Sequence, residues 1–291
     1  MISVIISSAN TFLLAQVSKN IEATIAVPFE LISFDNSTGQ KGICEIYNMG
    51  ARRAQYDILC FMHEDIEIQT SGWGLKVASH FTNNPQLGLL GVAGCSYKSK
   101  SPSGWVGYGV TRILHYNLLQ SLKDKKNTEH HCMNPNNAVL QKVACIDGLW
   151  FCTTKSVSIA YPFDEHLLKG FHSYDIDFSL AINQKYNAMV TYEILLNHFS
   201  EGTFNADWIE DILKVSKKWE SHLPLNIAGL TKKESLRVEI RTCEDMIKKM
   251  LHNGMTLSAC LRMIFRVSYK ESNLFIKFKL FFYLVKKRNS F

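Results

Sequence analysis

Three polar clusters stand directly behind apolar runs: Ser7 and Ser8, then Asp35, Asn36 and Ser37, then His63, Glu64 and Asp65. Oxygen donors of this kind hold hard cations such as Mg²⁺ or Mn²⁺ against phosphates. Asp35 is suited to accept hydrogen bonds from a base or ribose. Asp65, with His63 or Glu64 beside it, is suited to bind a cation that bridges two phosphates. Plainer roles also fit, with Asp35 opening an Asx-turn and 63–65 forming a solvated loop.

A further cluster runs from Phe171 to Phe178 and includes Tyr174, Asp175 and Asp177. Residues two apart on a helix point roughly 200° apart, so Asp175 and Asp177 cannot both face one ligand. Asp175, at the helix entry, fits a general base at a cleft rim, and Asp177 fits a cap or brace. Both would equally complement the helix dipole. His198 ends an apolar run and falls on the same rim as Asp65, as a metal or phosphate contact or as a structural histidine. Asp147 and Gly148 either bring a carboxylate and a tight turn up to a sugar or form an ordinary β-turn that uses glycine's backbone freedom.

These residues need a scaffold that gathers them. Apolar β-branched sequence at 2–8, helical spacing at 11–24 and a second apolar run at 30–34 read as strand, helix, strand. A helix at 43–55 and a buried strand at 58–62 continue the alternation, which predicts a mostly parallel α/β sheet covered on both faces. In such sheets ligands lie outside the carboxyl ends of the strands. Beyond these, 72–81 reads as helix, 87–93 as strand, 143–153 as ordered sequence, 175–186 as helix and 188–196 as a last strand. The stretch 96–137, rich in Gly, Ser, Asn and Lys, is expected to be an irregular functional loop that sets specificity. Only helical patterns follow residue 204. Two regions are expected, a nucleotide-binding domain at 1–224 and a helical basic and aromatic region at 225–291.

Composition narrows the function classes. With 291 residues, 46% hydrophobic, the chain can close a sizeable core. Its eight cysteines form no CxxC pair, which suits free buried thiols in a reducing, cytoplasmic setting better than disulfides or zinc. The N-terminus lacks a cationic flank and is expected to be a buried strand rather than a signal peptide. No window is long and apolar enough to span a bilayer. The net charge of +6 gathers beyond residue 262, where Lys and Arg far outnumber the single Glu271. No recognised nucleic-acid motif accompanies that charge. The tail is expected either to lie on an anionic membrane as an amphipathic helix or to pack on the domain or a second subunit.

Taken in order, 34–37, 47–50, 61–66, 146–148, 170–178 and His198 resemble the family 2 glycosyltransferases, most closely a bacterial glycosyltransferase-like branch, over about residues 2–224. The resemblance implies a GT-A fold and an inverting transfer from a nucleoside diphosphate sugar, UDP-sugar favoured, assisted by Mn²⁺ or Mg²⁺. It implies nucleotide contacts from Ser7, Asp35, Asn36, Asn48 and Glu64. Metal contacts would come from Asp65, His63 and His198, and the base would be Asp175. Sugar or acceptor contacts would come from Asp147, Gly148, Tyr174 and Asp177. Two positions depart from the family pattern: His63 replaces the first acid of DxD, and Tyr174 replaces the acid before the base. The expected role is surface polysaccharide or glycoconjugate synthesis on a glycan or lipid-linked acceptor, in the cytoplasm or at the inner membrane face, with a homodimer allowed. The alternative is a non-catalytic nucleotide- or sugar-binding module of the same fold, which would bind a nucleoside diphosphate without metal and without donor hydrolysis.

Overall fold

A computed structural model describes residues 1–121, 128–200, 202–266 and 274–288. The chain opens with β1 (Ile2–Ser8), α1 (Thr11–Thr24), β2 (Phe29–Asp35), α2 (Ile43–Arg53), β3 (Ile58–Met62) and the short β4 (Ile66–Ile68). Next come α3 (Trp73–Asn83), β5 (Leu87–Gly91), β6 (Ala93–Cys95), β7 (Tyr97–Lys98), β8 (Leu114–Ser121) and β9 (Thr128–Met133). β10 (Leu140–Val143), β11 (Cys145–Ile146), β12 (Trp150–Thr154), α4 (Lys155–Ala160), α5 (Tyr174–Ile182), β13 (Asn187–Thr191) and β14 (Leu196–His198) follow. The remainder is α6 (Ala206–Lys218), β15 (Leu225–Asn226), α7 (Lys232–His252), α8 (Leu257–Arg266) and α9 (Leu274–Arg288).

β1 and β3 are buried along almost their whole length because they lie inside a seven-stranded sheet of order β10-β13-β5-β12-β3-β1-β2. β1 runs parallel to both β2 and β3, so the segments after all three strands leave at one edge. Ser7, Ser8, Asp35 and His63 reach a common rim for that reason. The sheet is mixed rather than wholly parallel: β12 enters antiparallel between β3 and β5, and β10 lies antiparallel to β13.

A second sheet has the order β11-β6-β8-β14-β4, with β9 paired to β8. It corrects the expectation of one irregular loop over 96–137, since β8 and β9 form a long hairpin there. The polar composition of that stretch reflects a hairpin with an exposed outer strand, not a lack of structure. The same sheet separates 188–196 into β13, in the first sheet, and β14, in the second.

The C-terminal helices pack on this body. α7 begins with a capping box of Thr231 and Glu234. Its buried Glu239 accepts from the Tyr97 and Ser99 hydroxyls and the amides of Lys100 and Ser101, which fastens the segment after β6 to the helix. Ile276, Leu280 and Leu284 of α9 belong to the same apolar cluster as Val238 and Met246 of α7. Among the described residues no helix is long and apolar enough to cross a membrane.

Candidate active site

Ser7, Asn36, Tyr47, His63, Asp65 and Tyr174 line a cleft of about 260 Å³ at the sheet's carboxyl edge. A larger cavity of about 590 Å³, floored by Met250 and Met263, shares no residue with it and carries no imidazole. The cleft floor is an aromatic layer. Tyr47 lies 4.7 Å from Phe61 and 5.6 Å from Tyr174 between ring centroids, and Phe163 stacks on Phe178 at 4.3 Å. Rigid rings of this kind fix the side chains above them.

Antiparallel pairing sets His198 of β14 opposite Ile66, the residue after Asp65, and the Phe199 amide continues the ladder to the Asp65 carbonyl at 3.1 Å. His198 Nε2 therefore comes within 3.9 Å of Asp65 Oδ2, while His63 Nδ1 lies 3.8 Å from Asp65 Oδ1. One donor atom from each of the three residues fits within 4.8 Å of the others. Burial holds the His63 imidazole below its ordinary pKa, partly offset by Asp65. A neutral imidazole is the form that binds metal. Two imidazoles and one carboxylate fit a divalent ion, and nitrogen-rich donors favour Mn²⁺ over Mg²⁺.

Asp175 enters α5 behind Ser173, whose left-handed φ of 63° turns the chain into the helix. Its Oδ2 accepts the Gly148 amide at 3.2 Å. Burial, and then the neighbouring Asp147 carboxylate, push its pKa up to about 7 against backbone hydrogen bonds that pull it down. A carboxylate poised near neutrality is matched to accept a proton from a hydroxyl. The Asp147 carboxylate also favours the charged form of His63, while its Oδ1 accepts the Leu149 amide at 2.9 Å. A Cβ on Gly148 would stand 2.3 Å from the Tyr174 hydroxyl, which explains glycine at that position.

Other expected contacts have structural partners in this fold. Glu64 accepts from the Ser8 hydroxyl and the amides of Ala9 and Asn10, bracing the turn into α1. Asn36 ties both ends of its amide to the Lys41 backbone. The Asn48 amide is fully engaged with Phe163 and Glu165. Asp35 is exposed and accepts from the Ser37 amide at 3.0 Å in an Asx-turn, a bond that lowers its pKa. It adjoins the cleft through Asn36. Asp177, 3% exposed, turns away from Asp175 and holds Trp219 Nε1 at 2.7 Å and Lys218 at 2.9 Å, clamping α6 to α5.

Tyr47 lines the cleft without having been assigned a ligand role from sequence, although it opens the 47–50 segment that carries the family resemblance. Its hydroxyl is buried beside that of Tyr174.

Residues 3–221 match the model of the Glycosyltransferase like family. The chain belongs to that family. No curated protein matches it in sequence. Among solved structures it resembles S. aureus TarS 1–349 in complex with UDP, at 10% identity and a TM-score of 0.53, covering 90% of this chain and 78% of that one. It also resembles GalNAc-T7 with UDP, GalNAc and Mn²⁺, at 9% identity and a TM-score of 0.52 over 84% of this chain. This glycosyltransferase-family chain spans 54% of the GalNAc-T7 chain, and at such identity the likeness establishes the shared GT-A fold alone.

Proposed function

We propose that the chain is a metal-dependent inverting glycosyltransferase that takes a hexose from a nucleoside diphosphate donor, with UDP favoured, and passes it to an acceptor hydroxyl. The observation that carries this reading is the donor cluster of His63, Asp65 and His198, to which Asp175 is linked through Gly148 and Tyr174 by hydrogen bonds of 3.2, 3.1 and 3.0 Å. His63, Asp65 and His198 would hold Mn²⁺, which when bound supplies positive charge against the departing diphosphate. Ser7 and the rim at Asp35 and Asn36 flank the nucleotide side. Asp147, with the Gly148 turn, faces the sugar.

Asp175 takes the proton of the acceptor hydroxyl as that oxygen attacks the anomeric carbon. The bond to the nucleotide breaks on the opposite face, which inverts the centre. Holding both partners in line supplies much of the rate. Incubation with UDP-sugars and Mn²⁺ tests this: wild type should release UDP, and Asp175→Asn should not while still binding UDP. Equal loss of binding and turnover in that variant would refute the assignment of Asp175 as base.

The exposed face of α9 supports an acceptor at a lipid surface, in surface polysaccharide or glycoconjugate synthesis. Phe278, Phe282 and Val285 are 53%, 67% and 44% exposed at i, i+4 and i+7, opposite the buried Ile276, Leu280 and Leu284. Lys279 and Lys286 flank that stripe, a pattern suited to lying on an anionic bilayer.

A further inference from the structure

We infer that Tyr174 is a positioning residue that turns His63 into a metal donor; the inference rests on the proposed ion at His63, Asp65 and His198. The Tyr174 side chain is buried beneath the cleft, and its hydroxyl makes two hydrogen-bond contacts, while the Tyr47 hydroxyl, itself able to donate to the phenolic oxygen, lies alongside. The Tyr174 hydroxyl is 3.1 Å from the Gly148 carbonyl oxygen and 3.0 Å from His63 Nε2. A phenol has one proton to give, and a carbonyl oxygen can only accept. The Tyr174 proton therefore goes to Gly148, and the phenolic oxygen accepts the Nε2 proton of His63. The reverse orientation would set two oxygen lone pairs against each other at 3.1 Å in a buried place.

With Nε2 protonated, the neutral imidazole carries its lone pair on Nδ1. That is the atom facing Asp65, at 3.8 Å from Oδ1. The separation is too long for Nδ1 to share a proton with the carboxylate. It is the spacing of two donors around a common centre, with His198 completing the set. A histidine that binds metal through one nitrogen and donates from the other is held in orientation by the acceptor of that second proton. Tyr174 supplies the acceptor here. The arrangement is sterically matched, since any side chain at Gly148 would occupy the space of the Tyr174 hydroxyl. Tyr174 would act on transfer through His63.

The decisive measurement is Mn²⁺ affinity of the full chain by calorimetry, for wild type, His63→Ala and Tyr174→Phe, with ¹⁵N NMR of the metal-free wild type and Tyr174→Phe. Tyr174→Phe is expected to weaken Mn²⁺ binding by about 10- to 100-fold. The wild-type spectrum should show His63 protonated at Nε2 throughout, and in Tyr174→Phe part of the population should carry the proton on Nδ1, a change that a merely structural role for Tyr174 would not produce; where that variant does not fold, mixed tautomers in wild type overturn the role. Wild-type binding that depends on His63 but is unchanged by Tyr174→Phe, or a His63 protonated at Nδ1, overturns the role of Tyr174 and leaves the metal site standing. Absence of Mn²⁺ binding by wild type overturns both.

Discussion

Replacing Asp175 by Asn should stabilise the protein at neutral and alkaline pH in the act of abolishing turnover. In the unfolded chain this carboxyl ionises near 3.8, whereas in the folded protein it keeps its proton to about 7. Between those values the folded state binds more protons than the unfolded state. Stability therefore falls as pH rises through the window, and the loss is complete above about 7. The gap sets a ceiling of about 4 kcal/mol, at about 1.4 kcal/mol per pH unit. Asp175 keeps part of its surface in solvent, and screening reduces the effect to roughly 1–2 kcal/mol. Asparagine retains an oxygen for the Gly148 amide and has no charge to bury, so the variant escapes the penalty. For a chain of this size that corresponds to a melting temperature raised by about 2–8 °C. Scanning fluorimetry with chelator present, across about pH 4 to about pH 9, should show the variant's advantage growing and then levelling off above about 7. Wild-type turnover should rise over the same pH range as Asp175 loses its proton. A stability offset independent of pH, or a variant that melts below wild type at alkaline pH, would refute the argument that burial and Asp147 raise this group.

Asp177→Ala, two residues away, should act in the opposite direction. It removes the acceptor of Trp219 Nε1 and one of two carboxylates on Lys218, and because Asp164 keeps Lys218 paired, the cost should be about 2–3 kcal/mol, read as a lower urea midpoint. Phe278→Ser with Phe282→Ser should leave melting unchanged and abolish flotation with vesicles rich in phosphatidylserine, since both rings are exposed; flotation equal to wild type would argue against a membrane role for α9.

The elements that were legible are those whose burial is continuous or whose caps are local. α1 falls at 11–24 as its apolar spacing requires, with Asn10 accepting from the amides of Phe12 and Leu13. β3 at 58–62 reads as a buried strand because it lies between β1 and β12 and has no polar face. β8 and β9 were not legible, since one strand is half-buried and the other exposed, and neither shows clean alternation. Strand direction was hidden for a different reason. β12 runs antiparallel inside the sheet, yet an apolar run has the same composition in either direction.

The site shows the same division. Strand ends place Ser7, Asp35 and His63 on one rim, because parallel neighbours share an edge. The opposed directions of Asp175 and Asp177 follow from helical geometry, which sends one to the Gly148 turn and the other to α6. What spacing cannot foretell is which polar groups are consumed by their own fold. Asn48 and Glu64 bear the residue types of ligand contacts, but the 163–165 turn and the entry to α1 use them.

His63 and Tyr174 are the two positions at which this chain departs from the acidic pattern it otherwise resembles, and the fold puts them in contact at 3.0 Å. Considered singly, each substitution removes a charge from a site that needs charge. In contact, the phenol at 174 can take the Nε2 proton of the histidine at 63, as a carboxylate does behind many metal-binding histidines, and it leaves Nδ1 turned toward Asp65. Gly148 then has to be bare, because the Tyr174 hydroxyl occupies the space of its missing Cβ. Three residues scattered over more than a hundred positions thus meet at one point, and the proposed metal site beside Asp65 would draw on all three.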